Sequence, residues 1–410
     1  LSKDNKTNDL LIPQPVLGKG GMIAFVTLNN VVAPLSTDMY LPALPGMAVY
    51  FHTTAKVMNM TMVGFFFFFA IGMLIFGPVS DKLGRKRVLL AGITLYSVSC
   101  LCCAFSTSVM MLIISRIFQA LGGGAMVSVS TALVKDQFTG RSQGSVLAAS
   151  QVFGVLAPVL APLIGAQLLR FFGWRATFVL LTIIAVFIII MCCLMKETLP
   201  KENRLKENVI KSFSRLGVVL KNGTFATFLI AIVLTQIPMM AYITTSSYIY
   251  VKQFGLSTTI YSLFFAGNSL VSVIGPVLYV FLRNKKSSVL TYIIFGVSLA
   301  CGILLLLFGD SSPWAFLLCF APSMMAGAGA RPFSTTILLN QQQEDSGSAS
   351  ALINFFNSLS GTLGMAVITM IWTDYIIGVG TLLIVTSIIS IVMCICLFRV
   401  KGSHVLDKKY

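Results

Sequence analysis

Three charged side chains stand inside otherwise apolar runs of this 410-residue chain: Asp38, Arg116 and Arg331. Placing such a charge at bilayer depth costs about 2.5 kcal/mol or more, so each needs a chemical reason. A carboxylate there can carry a proton. Burial penalises its ionised form and a nearby cation favours it, so Asp38 at the depth of Arg116 could load and release one. The alternative is a static ion pair that fixes helix packing. Asp81, Asp136, Glu344 and Asp374 read as loop residues, and His52 and His404 fall in a loop and the tail, so none competes for that role. Arg331 precedes Pro332, where it can snorkel, cap a broken helix or touch a ligand. Asn30, Tyr40, Gln119, Gln151 and Tyr242 complete the candidate ligand-facing set.

The elements that must position these groups follow from composition. The chain is 56% hydrophobic and 10% charged, against roughly 25% charged in a soluble domain, which points to lipid as its solvent. The net charge of +16 does not imply nucleic acid, because the basic residues lie in short clusters between apolar runs. A spanning helix needs about 20 apolar residues. Twelve stretches qualify: 22–50, 57–79, 88–106, 109–134, 145–169, 175–195, 224–250, 257–282, 288–308, 313–340, 348–372 and 378–398. The first is expected to run past Asp38 through Pro42 and Pro45. With the amino terminus cytoplasmic, 23 of the 29 Lys and Arg residues fall on the inner side, so both ends are expected inside.

The longest polar connection follows the sixth span. It divides the chain into a six-helix half, 1–195, a cytoplasmic linker, 196–222, and a second six-helix half, 223–410. The expected class is therefore an all-α membrane protein, twelve transmembrane helices in two halves around a central cavity. The nine cysteines lie in apolar runs and read as packing residues. The polar stretch Leu1–Gly21 has no apolar core of a cleaved signal. No nucleophile–base set, metal cluster or phosphate loop is evident, so a transporter without cofactor or metal is expected rather than an enzyme, and a monomer. In span five, Ala157, Ala161 and Gly165 recur every four residues beside Pro158 and Pro162, and Gly122–Gly124 lie in span four. Both invite close helix contact.

After span two the chain reads Gly77-Pro-Val-Ser-Asp81-Lys82-Leu-Gly84-Arg85-Lys86-Arg87. Gly77 and Gly84 permit a tight turn and close packing. Asp81 can face a positive helix end, and span eleven, starting near Ser348, has the right polarity. Arg85 and Lys86 can pair with acids or lipid phosphates. This loop resembles the signature of the major facilitator superfamily, and Arg116-Ile-Phe-Gln119 resembles the Arg-x-x-Gln motif of its proton-coupled exporters, with Ala120 in place of the usual Gly. Asp38-Met-Tyr-Leu-Pro-Ala-Leu-Pro45 resembles the span-one signature of the Bcr/CflA drug-resistance group. Lys135-Asp136, Gly173-Trp174-Arg175 and Gly347–Ala351 are similar to that group as well.

The resemblance implies efflux of structurally varied antibiotics, bicyclomycin-like and phenicol compounds among them, in exchange for protons. It implies Asp38 as the protonation site, Arg116 as its partner in proton transfer, and Gly77, Asp81, Gly84, Arg85 and Lys86 as a conformational latch. Small-molecule drugs, protons and membrane lipids are the expected partners. A second acid found in some such antiporters would stand at Asn30, so one proton per cycle is the simpler expectation. Two departures stand out: Ala157 and Ala161 replace the glycines that usually precede the span-five prolines, and Arg331 replaces an apolar residue. A transporter of one metabolite, such as an amino acid or small organic acid, is the alternative.

Overall fold

The computed structural model describes residues 10–138, 140–204, 217, 219–282, 286–342 and 346–399. These form fourteen α-helices among the described residues: α1 Gly18–Asp38, α2 Leu44–Tyr50, α3 Ala55–Leu83, α4 Arg85–Ala104, α5 Val109–Gln137, α6 Gly140–Phe172, α7 Arg175–Leu194, α8 Gly223–Val233, α9 Gln236–Ser247, α10 Thr258–Leu282, α11 Ser287–Phe308, α12 Pro313–Asn340, α13 Ser346–Ile371 and α14 Tyr375–Arg399. A lone bridge of Leu10 with Phe138 is the extended pairing among them. Ten helical runs are long and apolar enough to cross a membrane, α8 and α9 counting as one. The α1–α2 pair and α6, apolar over Leu156–Phe172, supply the other two crossings. Local chemistry starts several helices: the side chains of Ser108, Asn222 and Ser312 accept backbone N–H bonds at the heads of α5, α8 and α12.

The first span is not one helix, contrary to expectation. α1 stops at Asp38, a 3₁₀ turn covers Leu41–Ala43, and α2 resumes at Leu44. Pro42 has no N–H for the Asp38 carbonyl four residues earlier, which favours a break there, although Pro34 leaves α1 itself continuous. Span seven breaks for the same reason. Pro238 cannot serve the Leu234 carbonyl, which accepts from the Ile237 N–H at 3.2 Å instead. That span closes in a π turn over Tyr248–Gln253. By contrast α12 runs unbroken through Pro322 and Pro332, so Arg331 does not cap a broken helix. Asp81 and Asp136 are also helical, in the last turns of α3 and α5, because those helices extend a few residues past their apolar runs.

The chain forms two compact units, Leu1–Ala43 with Gly64–Lys211, and Leu44–Val63 with Ser212–Tyr410. In the first, α1 packs on α6, and α4 packs on α5 and α7. In the second, α9 packs on α13, and α11 packs on α12 and α14. Counted by span, this is one pairing scheme used twice. The close approaches repeat as well. A Cβ on Gly165 of α6 would overlap the Met39 carbonyl after α1, and a Cβ on Gly364 of α13 would overlap the Ile237 carbonyl in α9. The small stripe of span five thus lies against the residue next to Asp38. The core of the second unit gathers Phe225, Phe228, Phe333, Ile337 and Leu352 from α8, α12 and α13.

Candidate functional site: a caged arginine beside a buried carboxylate

Arg116, fully buried on α5, is held from several sides. Its Nη1 donates to the Ser36 carbonyl at 3.0 Å and to Gln119 Oε1 at 2.6 Å. The guanidinium lies 4.1 Å from the Phe65 ring centre, 5.1 Å from Tyr40 and 5.9 Å from Phe178. Such aromatic faces stabilise a cation by about 0.5–2 kcal/mol each, more when water is excluded. The Ser36 carbonyl is open to it because α1 ends two residues later, and the last carbonyls of a helix lack internal partners. The cation therefore sits at the partially negative end of α1.

The network continues inward. Gln119 Nε2 donates to Cys100 Sγ at 3.0 Å. The Ser36 hydroxyl donates to the Val32 carbonyl at 2.6 Å, so it accepts from the Tyr96 hydroxyl at 2.5 Å. Ser36 and Tyr96 were not singled out in the sequence, and Cys100 was read with the other cysteines as a packing residue. Their only signal there is a polar or thiol group in the apolar runs of spans one and three, which many bland residues share.

Asp38 is the last residue of α1 and only 6% exposed. Its Oδ1 accepts from the Thr37 hydroxyl at 2.9 Å. The same hydroxyl lies 3.1 Å from the Pro34 carbonyl and 3.3 Å from that of Ala33. It owns one proton, so it can point at the carboxylate or at the helix, not both. An ionised Asp38 holds that proton. A neutral Asp38 can donate to Thr37 while Thr37 turns to Pro34. The static Asp38–Arg116 ion pair weighed as the alternative is not formed among the described residues, where Asp38 is bonded by Thr37 and ion pairs include Arg85 with Asp81 and Asp136, and Arg204 with Glu197. Arg116 takes the Ser36 carbonyl in its place.

The remaining ligand-facing candidates separate. Tyr40 and Gln119 are buried and hold Arg116. Asn30 is half-buried on α1. Gln151 lies on α6 outside the residues whose side chains are described. Tyr242 is buried in the second unit, stacked 4.3 Å from Phe320, with its hydroxyl unpartnered. Arg331 is exposed on α12, with Nη2 3.3 Å from Gln236 Oε1.

The latch residues gather around Arg85, which donates to Asp136 Oδ2 at 2.7 Å and Ser80 Oγ at 2.6 Å and pairs with Asp81 at 2.5 Å. Lys86 Nζ donates to the Cys193 and Met195 carbonyls at the end of α7, a favourable place for a cation. Gly77 leaves room for Ser128 Oγ, 3.0 Å from where a Cβ would stand. Sequence reasoning missed Glu197. Its Oε1 accepts the Arg85 N–H at 2.9 Å and those of Thr198 and Leu199, so a carboxylate crowns the positive end of α4. Gly84 is required by its backbone, whose φ is +101°; a Cβ would also lie 2.5 Å from Glu197 Oε2, the movable end of a side chain. The N-terminal segment is tied to the same end of the unit, Gln14 exchanging bonds of 3.2 and 2.8 Å with the Lys196 backbone.

Over residues 26–365 the chain matches a known family, described as the Major Facilitator Superfamily. The chain belongs to this superfamily and is a multi-pass membrane transporter. An uncharacterised major facilitator transporter of Bacillus subtilis, YdgK, is 29% identical over 88% of this chain and 91% of its own length. A bicyclomycin resistance protein homologue of Haemophilus influenzae is 27% identical over 62% of this chain and 65% of its own. The kinship with Bcr/CflA-type transporters seen in the motifs is therefore supported by a relative that covers 62% of the chain. A crystal structure of a D-xylose–proton symporter superposes with a TM-score of 0.74 over 94% of this chain and 99% of its own, at 14% identity, which speaks for the fold alone.

Proposed function

We propose that this superfamily member exports small, mostly neutral or weakly charged drugs in exchange for protons, by alternating access in a bacterial inner membrane with both termini cytoplasmic. The observation that carries the reading is Asp38: a carboxylate at the last turn of a broken spanning helix, buried, with one hydroxyl as its hydrogen-bond partner. A carboxylate so placed gains or loses a proton without dismantling a salt bridge. Thr37 turns with it, and Arg116 reads the same helix end through the Ser36 carbonyl. The resistance named for the Haemophilus relative supports drugs as the cargo. Asn30, Gln151, Tyr242 and Arg331 are proposed to meet the cargo, and Tyr40 and Gln119 to position Arg116. The Gly77–Lys86 loop is proposed to bias the access states.

The test is reconstitution into proteoliposomes with an imposed pH difference and a phenicol-type drug. Accumulation against the drug gradient is expected with the native chain and lost in Asp38→Asn, while drug–drug counterflow persists. Uphill accumulation by Asp38→Asn would refute the coupling role, and transport indifferent to the pH gradient would refute antiport altogether.

A further inference from the structure

Arg331 is a cation in a spanning helix with no carboxylate partner among the described residues. It lies about two-thirds of the way along α12. Its hydrogen-bond partner among the described residues is a neutral amide, Gln236, itself 2% exposed. The described carboxylates of the second unit, Asp310 and Asp374, stand in the connections after α11 and before α14. A guanidinium carries five N–H donors, and one long bond leaves most of them for another acceptor.

Its direction argues against lipid as the occupant. The exposed apolar residues of α12, Trp314 and Leu318, are 64% and 69% accessible and mark its outer face. At about 100° per residue, Arg331 is turned away from them by roughly 100–140°. Instead it continues the row Phe320, Met324, Gly327, Arg331, spaced four, three and four residues, which is one helix face. The first three line a cavity inside the second unit, together with the hydroxyl-bearing Thr235, Ser298, Ser323, Thr386 and Ser387. Thr235 adjoins Gln236 in sequence and Gly327 lies one turn before Arg331, so the arginine and its amide partner stand beside this small void, whose Thr235, Ser298, Ser323 and Thr386 hydroxyls already donate to carbonyls three or four residues earlier.

The internal repeat supplies an independent observation. The Met39 carbonyl meets Gly165 in the first unit as the Ile237 carbonyl meets Gly364 in the second. One residue earlier stand Asp38 and Gln236. Where the first unit carries the acid, the second carries an amide that can bond the arginine without neutralising it.

From this we infer that Arg331 and Gln236 form an oxyanion subsite for cargo, which among the weakly charged molecules exported selects apolar ones that bear a single carboxylate. This deepens the export reading and rests on it, since it takes polar side chains of the spans to meet cargo. A carboxylate replaces the Gln236 oxygen in front of the guanidinium in two-pronged geometry, and the Gln236 amide is freed to donate a second bond.

The test needs no gradient, so it stands or falls apart from proton coupling. Binding of 1-pyrenebutyrate and of its neutral isostere 1-pyrenebutyramide is measured by fluorescence anisotropy, with the full chain in phosphatidylcholine nanodiscs. The native chain is expected to prefer the carboxylate, and Arg331→Gln to reduce the ratio of the two affinities about tenfold, the scale of a charge-assisted bond. Arg331→Lys is expected to restore part of the ratio, which a merely structural loss would not. The inference is overturned if the native chain shows no carboxylate preference, or if Arg331→Gln changes both probes equally. It is also overturned if phosphatidylglycerol discs abolish the preference, which would assign the guanidinium to a lipid headgroup.

Discussion

Thr37 carries the most specific consequence at the scale of single residues. Its hydroxyl is the partner of Asp38 and has a second acceptor in Pro34, so it can report whether the carboxylate holds a proton. Thr37→Val removes the rotor and is expected to lower pH-driven drug uptake about tenfold, the effect of leaving one buried acceptor unsatisfied, while Thr37→Ser keeps most of it. Initial rates in proteoliposomes decide this, and an active Val variant removes Thr37 from the mechanism. Arg116→Lys keeps the charge but loses the flat face on Phe65 and the paired geometry toward Ser36 and Gln119. It is expected to bind drug yet fail at uphill transport. None of these contacts is visible in spacing alone. The sequence marks Asp38 and Arg116 as costly charges, but which acceptor each one finds depends on where a neighbouring backbone has stopped.

Among the elements, the head of α4 is the place where sequence and structure meet most closely. Gly84 is a signature residue, and its positive φ explains why. Gly84→Ala is expected to cost about 1–3 kcal/mol from backbone strain alone, seen as a lower melting temperature of the purified chain. Glu197→Gln should cost about 1 kcal/mol by weakening charge-assisted bonds to the first turn of α4. If Glu197→Gln melts at the native temperature, the carboxylate is not what fixes that helix. The break after α1 is likewise an element-scale event with a one-residue cause. Pro42→Ala restores a donor to the Asp38 carbonyl and is expected to let the helix run on, moving Asp38 from a helix end to a helix interior. Uphill transport should then fall while the chain still folds. The Asp-x-x-x-Pro spacing was in the sequence but does not by itself give the break, since Pro34, Pro322 and Pro332 remove the same donor inside continuous helices.

For the whole molecule, the same pairing scheme serves both units, though the two sequences carry no similarity strong enough to reveal it. Packing conserves the places where backbones touch, not the side chains that fill between them. Gly165 and Gly364 are the shared marks, and overfilling either should act alike. Gly165→Leu and Gly364→Leu are both expected to cut the yield of folded, monodisperse protein sharply, since neither neighbouring carbonyl can retreat. The proposed orientation is testable at this scale as well. Epitope tags on both ends should be cleaved by protease in inside-out vesicles and spared in right-side-out ones. Tags cleaved from opposite sides would contradict the reading of the basic clusters.

By itself the sequence determined the solvent, the number of spans, the signature loop and the two charges of the first unit. Each follows from a cost that one residue or one run carries alone: apolar length, a charge in lipid, a glycine where no side chain fits. Tertiary structure alone decided that Arg116 grips the end of α1 rather than Asp38, that Glu197 crowns α4, and that Gln236 stands where the second unit repeats the place of Asp38. Those outcomes depend on which orphaned backbone or side-chain groups are brought within hydrogen-bond reach. Residues 80 or 100 apart in the chain settle that only when the helices pack.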